Sequence, residues 1–141
     1  MRVNSDKIAK ILSEIRSSLA LLHDIQTSDY KGFSDNSHIK SSAKYNFIVV
    51  IEGMIDLCSH LISQNGFRTP EDYADTFKVA AEHGVIDNEL CSSLVKAARF
   101  RNRLVHIYWE ITDRDLFEII KSGPEDVKRF LDQYSRFIDI T

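Results

Sequence analysis

Residues 37–64, SHIKSSAKYNFIVVIEGMIDLCSHLISQ, decide how the rest of the chain is read. Ile39, Ala43, Phe47, Val50, Met54, Leu57 and Leu61 recur every three or four positions, the period of an α-helix. Ile48, Ile51, Ile55, Cys58 and Ile62 widen this stripe well beyond one face. A helix apolar over so much of its circumference is buried against several neighbours or at a dimer seam. The β-branched run from Ile48 to Ile51 could be a strand in isolation, but the length and period around it favour a helix. Asn65-Gly66 then ends it, with Gly66 suited to the left-handed closing position.

The flanking segments supply partners of the same kind. Asn4 or Ser5 can cap a first helix reaching about Gln26, with Ile8, Ile11, Leu12, Ile15, Leu19, Leu22 and Ile25 on its apolar face. Residues 27–36, with Gly32 and several Ser and Asp, read as a loop. Thr69-Pro70-Glu71-Asp72 predicts a helix start with Thr69 as the cap and Pro70 in the first position. That third helix should run to about His83, bury Tyr73 and Phe77, and stop at Gly84. Asp87 should cap a fourth helix, with Leu90, Leu94, Val95, Ala97 and Ala98 facing inward. Thr112 and Asp115 form a capping-box pattern ahead of a short fifth helix, which Ser122-Gly123-Pro124 should interrupt before a last helix reaching about Ile138. The expectation is an all-α, up-and-down bundle of five to six helices, one domain spanning residues 1–141.

Composition fits that class. The 141 residues are 43% hydrophobic and 28% charged, ordinary for a globular protein large enough to build a core without staples. Cys58 and Cys91 both sit in apolar helical patterns and read as buried free thiols in a reducing compartment. The start of the chain lacks the apolar core of a signal peptide, and the run from Phe47 to Ile51 is too short to span a bilayer. A cytoplasmic protein without a membrane role is expected. A net charge of −3 argues against a general nucleic-acid coat protein, whose affinity comes from neutralising phosphates. Yet Lys96, Arg99, Arg101 and Arg103 place four cations in eight residues with no acid among them, which reads either as a solvated helix face or as a local basic cleft for a specific phosphate-containing target such as RNA.

That cleft belongs to the chemically densest stretch, Arg99-Phe100-Arg101-Asn102-Arg103-Leu104-Val105-His106-Ile107-Tyr108-Trp109. On a continuous helix Arg99, Arg103 and His106 share a broad face, while Arg101 projects differently. A helix end or loosened turn between Arg101 and His106 is therefore expected, so that both reach one cleft. A permanent cation and a group titrating near neutrality suit phosphate chemistry. Residues 101–108 resemble the Arg-x4-His-x-Tyr signature of the HEPN superfamily, in its HepT-like toxin branch. Lys44-Tyr45 leading into Ile51-Glu52-Gly53-Met54-Ile55-Asp56, and Tyr73-Ala74-Asp75-Thr76-Phe77 before Gly84-Val85-Ile86, are similar to that branch too.

The resemblance implies a HEPN-like homodimer with the Arg and His of both chains lining one cleft. It implies a metal-independent endoribonuclease toxin of a toxin–antitoxin pair, with RNA as substrate. A separate minimal nucleotidyltransferase antitoxin would adenylylate the motif tyrosine, Tyr108. The alternative is a noncatalytic module that binds a nucleotide or a partner protein and completes a two-component nucleotidyltransferase. For cleavage, His106 can act as base or acid and Arg101 can hold the phosphorane oxygens. Asn102 would orient His106 or contact the phosphate. One histidine cannot conveniently fill both proton-transfer roles, and His23, His38, His60 and His83 are scattered over other segments. A symmetric dimer would bring two copies of His106 together. Glu52, Asp56 and His60, at i, i+4 and i+8, read as a surface stripe, as arginine-orienting groups or as metal ligands. No second Glu-x-x-His cluster supports the last, and no metal or cofactor is expected.

Overall fold

The computed structural model describes residues 2–140. Helix α1 spans Ser5–Gln26, α2 Tyr30–Ser34, α3 Ser37–Asn65, α4 Tyr73–Glu82, α5 Asn88–His106 and α6 Asp113–Ile140. A 3₁₀ turn at Tyr108–Glu110 joins α5 to α6, and no strand occurs among the described residues. The fold is all-helical, and α3 touches every other helix.

Side-chain caps set most of these boundaries. Asn4 accepts from the Lys7 amide, Asn36 from Ile39, and Asp87 from Leu90. Thr112 and Asp115 exchange side-chain and backbone bonds at 3.0 and 3.3 Å, a complete capping box. Gly66 closes α3 in the left-handed region at φ 68°, where a Cβ would be strained. Directions follow from the anchoring contacts. Asn4 reaches His60 while Ile15 lies against Gly53, so α1 runs antiparallel to α3. Lys40 meets Asp113, Phe47 meets Gly123, and the Tyr134 hydroxyl donates to the Leu57 carbonyl, so α6 runs with α3. Gln133 pairs with Asp87 and Arg103 with Asp115, which sets α5 antiparallel to both.

The core lies where these helices converge on α3: Ile15, Leu22, Phe33, Phe47, Leu57, Leu61, Phe77, Leu90, Phe130 and Tyr134 are all sealed from solvent. By length and apolar composition α3 could cross a bilayer, but here it is the central helix, surrounded by α1, α4, α5 and α6. Gly53 allows the closest approach. A Cβ there would lie 2.6 Å from Ile15 Cγ1.

Three expectations fail for identifiable reasons. The loop over residues 27–36 contains α2, capped by Asp29 through the Gly32 amide. Its single turn exists to drive Phe33 into the core, where the ring meets Phe117 at 5.6 Å. The start of α4 is set by Asp72, not Thr69, because Asp72 accepts from the Asp75 amide at 2.7 Å while Asp75 accepts back from the Glu71 amide. Arg68 locks the arrangement by forking onto Asp75 and Glu82. Tyr73 is thereby left 43% exposed at the first helical position instead of buried. Finally, α6 does not break at Pro124. An interior proline costs about 3 kcal/mol. Against that cost, Leu116, Ile120, Val127, Phe130 and Tyr134 keep one continuous buried stripe across it, and Gly123 lets the helix lie directly on the Phe47 ring.

Candidate active site at the end of helix α5

Helix α5 carries the basic stretch because its inward side is built from Leu90, Leu94, Val95, Ala98, Phe100 and Leu104. Burying those residues distributes the polar ones between two flanks. The helix continues unbroken through His106 and stops only afterwards, where Ile107 leaves helical geometry at φ −136°, ψ 42°. The turn expected between Arg101 and His106 is therefore absent. Five residues of regular helix place the two about 140° apart around the axis and about 7.5 Å apart along it. Within one chain they do not converge.

Arg101 lies on the flank towards α3 and α4, with its side chain only 13% exposed. Its Nε and Nη2 donate to one carboxylate oxygen of Glu52 at 3.1 and 2.5 Å. Nη1 donates to Asn102 Oδ1 at 3.2 Å, and the Tyr73 ring centroid is 5.0 Å from Cζ, within cation–π range. Asn102 thus touches Arg101. Of the stripe Glu52, Asp56 and His60, only Glu52 orients the arginine. The Asp56 carboxyl is raised from its ordinary pKa by burial and then by the neighbouring Glu52 charge. His60 is not on the surface. It is 5% exposed, and Nε2 accepts the Asn4 amide at 2.8 Å. Among the described residues no group of three or more His, Cys, Asp or Glu is placed to hold a metal.

His106 is exposed at the carboxyl end of α5. Beyond it Tyr108 and Trp109 are 60% and 68% exposed, their rings packed edge to face at 5.4 Å. With half-exposed Val105 they give this end of the molecule an amphipathic, aromatic surface.

Lys96, Arg99 and Arg103 point elsewhere, lining a groove of about 460 Å³ between α3, α5 and α6. Its walls include Phe47, Val50, Met54, Leu94 and Phe100. Asp115, Glu118 and Asp126 of α6 line the same groove, and Asp115 lies 3.9 Å from Arg103. These acids come from a helix distant in sequence, so no local pattern announced them. Tyr73 was missed for a related reason, since its contact with Arg101 depends on where α4 begins. Cys58 and Cys91 are free thiols, the first buried and held un-ionised by that burial.

The family model for HepT-like ribonucleases matches residues 6–134. A protein of Archaeoglobus fulgidus described as a proposed RNase is 34% identical over 91 residues, covering 64% of this chain and 65% of that one. The mRNA nuclease HepT of Shewanella oneidensis is 26% identical over 104 residues, covering 74% of this chain and 78% of that one. In fold, the chain superimposes with a TM-score of 0.83 on a tri-AMPylated Shewanella oneidensis HEPN toxin solved in complex with its MNT antitoxin. That match has 22% identity and covers 92% of this chain and 96% of that one. The chain belongs to the HepT-like ribonuclease family.

Proposed function

We propose that this protein is a metal-independent endoribonuclease, the toxin of a toxin–antitoxin pair. The observation that carries the reading is a fixed arginine and an exposed histidine on separate flanks of the last turns of α5, on a chain whose relative from Shewanella oneidensis is an mRNA nuclease. Cleavage begins when a base takes the proton of a ribose 2′-hydroxyl and the freed oxygen attacks the adjacent phosphorus. Negative charge builds on the two non-bridging oxygens, and the 5′-oxygen leaves with a proton supplied by an acid. The products are a 2′,3′-cyclic phosphate and a 5′-hydroxyl. Arg101 supplies the planar cation for the phosphorane, and Asn102 steadies it through Nη1. His106 supplies proton transfer.

The angular separation of Arg101 and His106 on one helix favours a composite site. Two copies related by a two-fold axis would set the end of one α5 against the other, so that one His106 acts as base and the second as acid. The exposed Val105 and Trp109 supply apolar surface for such a contact. Lys96, Arg99 and Arg103 then hold flanking phosphates, with their acidic neighbours on α6 limiting indiscriminate affinity for nucleic acid.

Control falls to Tyr108. Its phenol is exposed two residues beyond His106, within reach of a separate nucleotidyltransferase antitoxin. An AMP ester there adds a phosphate and a purine beside the cleft and competes with RNA for the arginines. The test is incubation of purified protein with RNA in EDTA. Cleavage by the wild type, falling at least about 100-fold in both Arg101→Ala and His106→Ala with helical content retained, is the expected result. Nucleotide binding without any cleavage would instead identify a noncatalytic module.

A further inference from the structure

Arginine presents five N–H donors. For Arg101 the bonds to Glu52 use the Nε proton and one on Nη2, and the bond to Asn102 uses one on Nη1. One N–H therefore remains on each terminal nitrogen. Two such donors on a planar guanidinium match the spacing of two phosphate oxygens. The Tyr73 ring packs on the guanidinium from a third element, α4. A long, rotamer-rich side chain is thus held from α3, α4 and its own helix before any substrate arrives.

We infer that Glu52 is the positioning residue of the reaction: its carboxylate fixes the Arg101 guanidinium so that the two remaining N–H groups meet the phosphorane oxygens. The inference rests on the ribonuclease reading above and names the residue that organises its electrostatic centre. Glu52 touches Arg101 and acts through it. Two physical consequences separate this role from a structural one. Arg101 is only 13% exposed but the Glu52 side chain is 43% exposed, so water enters where the carboxylate is removed and limits the cost to folding. Its negative charge also opposes the approach of RNA, so removing it cannot weaken ground-state binding by electrostatics. What removal takes away is orientation, which matters most in the transition state.

The test compares wild type, Glu52→Gln, Glu52→Ala, Arg101→Ala and the Glu52→Ala/Arg101→Ala double variant in steady-state RNA cleavage with EDTA present. Nitrogen-15 spectra of the arginine Nε–H groups are recorded on the same samples, with the Arg101 signal assigned by its loss in Arg101→Ala. Glu52→Ala should lower kcat about 10- to 100-fold without raising KM. Glu52→Gln, whose amide oxygen still accepts from Nε and Nη2, should stay within about fivefold of wild type. In the Arg101→Ala background Glu52→Ala should add less than about twofold, whereas a folding defect would multiply through. The Arg101 Nε–H should exchange slowly in the wild type and rapidly in Glu52→Ala. A kcat for Glu52→Ala within about threefold of wild type, or a loss that carries over fully into the Arg101→Ala background, overturns the inference. If the wild type cleaves no RNA the ribonuclease reading fails separately. The nitrogen-15 arm still decides the positioning claim, because a fast-exchanging Arg101 Nε–H in the wild type would refute it.

Discussion

Gly53 offers a measurable test of how closely α1 packs beneath the site. A methyl group at this position would lie 2.6 Å from Ile15 Cγ1 and 2.9 Å from its Cδ1, both inside any normal carbon–carbon contact. Ile15 cannot move aside easily: it is fully buried and stiff at χ1. Overpacking of this severity costs about 3 kcal/mol, the upper end of its usual range. Replacing glycine by alanine inside a helix returns about 1 kcal/mol of propensity. Gly53→Ala should therefore destabilise by about 2 kcal/mol, since the two effects oppose and packing wins. For a domain of this size that is a fall in Tm of about 6 °C, read by thermal denaturation followed by circular dichroism. Ile15→Ala alone should cost about 2–5 kcal/mol through its cavity, and combined with Gly53→Ala the loss should undershoot the sum by more than about 1 kcal/mol. A Gly53→Ala protein as stable as the wild type, or more so, would refute the helix spacing described here.

Three further outcomes follow from the same geometry. Burial and then the Lys7 charge hold His60 below its ordinary imidazole pKa, while Nε2 accepts the Asn4 amide. The unfolded chain therefore binds the proton more readily, so this contribution is complete above about pH 6.5 and is lost as pH falls through the lower folded value. Tm should drop between pH 7.5 and 5.5, less so in His60→Gln; equal slopes in the two proteins would contradict this. Tyr108→Phe should keep most cleavage yet take up no AMP from the partner nucleotidyltransferase and ATP, as intact mass would report; unchanged incorporation would place the modification elsewhere. Cleavage per chain should fall as the protein is diluted through dissociation of the proposed dimer, and full specific activity in a verified monomer would remove the composite site.

Much of the bundle was legible because its signals are local. The caps at Asn4, Asp87 and Thr112–Asp115 and the closing Gly66 lie within a few residues of what they terminate. The failures arise where distant packing overrides a local preference. Pro124 reads as a break, yet a stripe buried on both sides of it holds α6 together. Residues 30–34 are too few to show a helical period, although Phe33 is sealed in the core. At the site, the one-turn spacing on α3 left surface, arginine and metal roles open for Glu52, Asp56 and His60, and only the path of α5 makes Glu52 the partner of Arg101. The continuity of α5 through His106 and the acids facing Arg99 and Arg103 were not legible. The first depends on where Ile107 leaves the helix and the second on the path of α6.

The ends left on cleaved RNA test the ribonuclease reading most directly. Purified wild-type protein is incubated with a defined RNA in excess EDTA, the cut is mapped, and both new termini are identified by mass spectrometry. A second RNA carries a single 2′-deoxyribose immediately 5′ of the cut. The expected result is a 2′,3′-cyclic phosphate and a 5′-hydroxyl from the first RNA, no cut at that position in the second, and neither product with His106→Ala. Cleavage that stops in EDTA, leaves a 5′-phosphate or proceeds at the deoxyribose would contradict attack by the 2′-hydroxyl, and with it the roles given to Arg101 and His106.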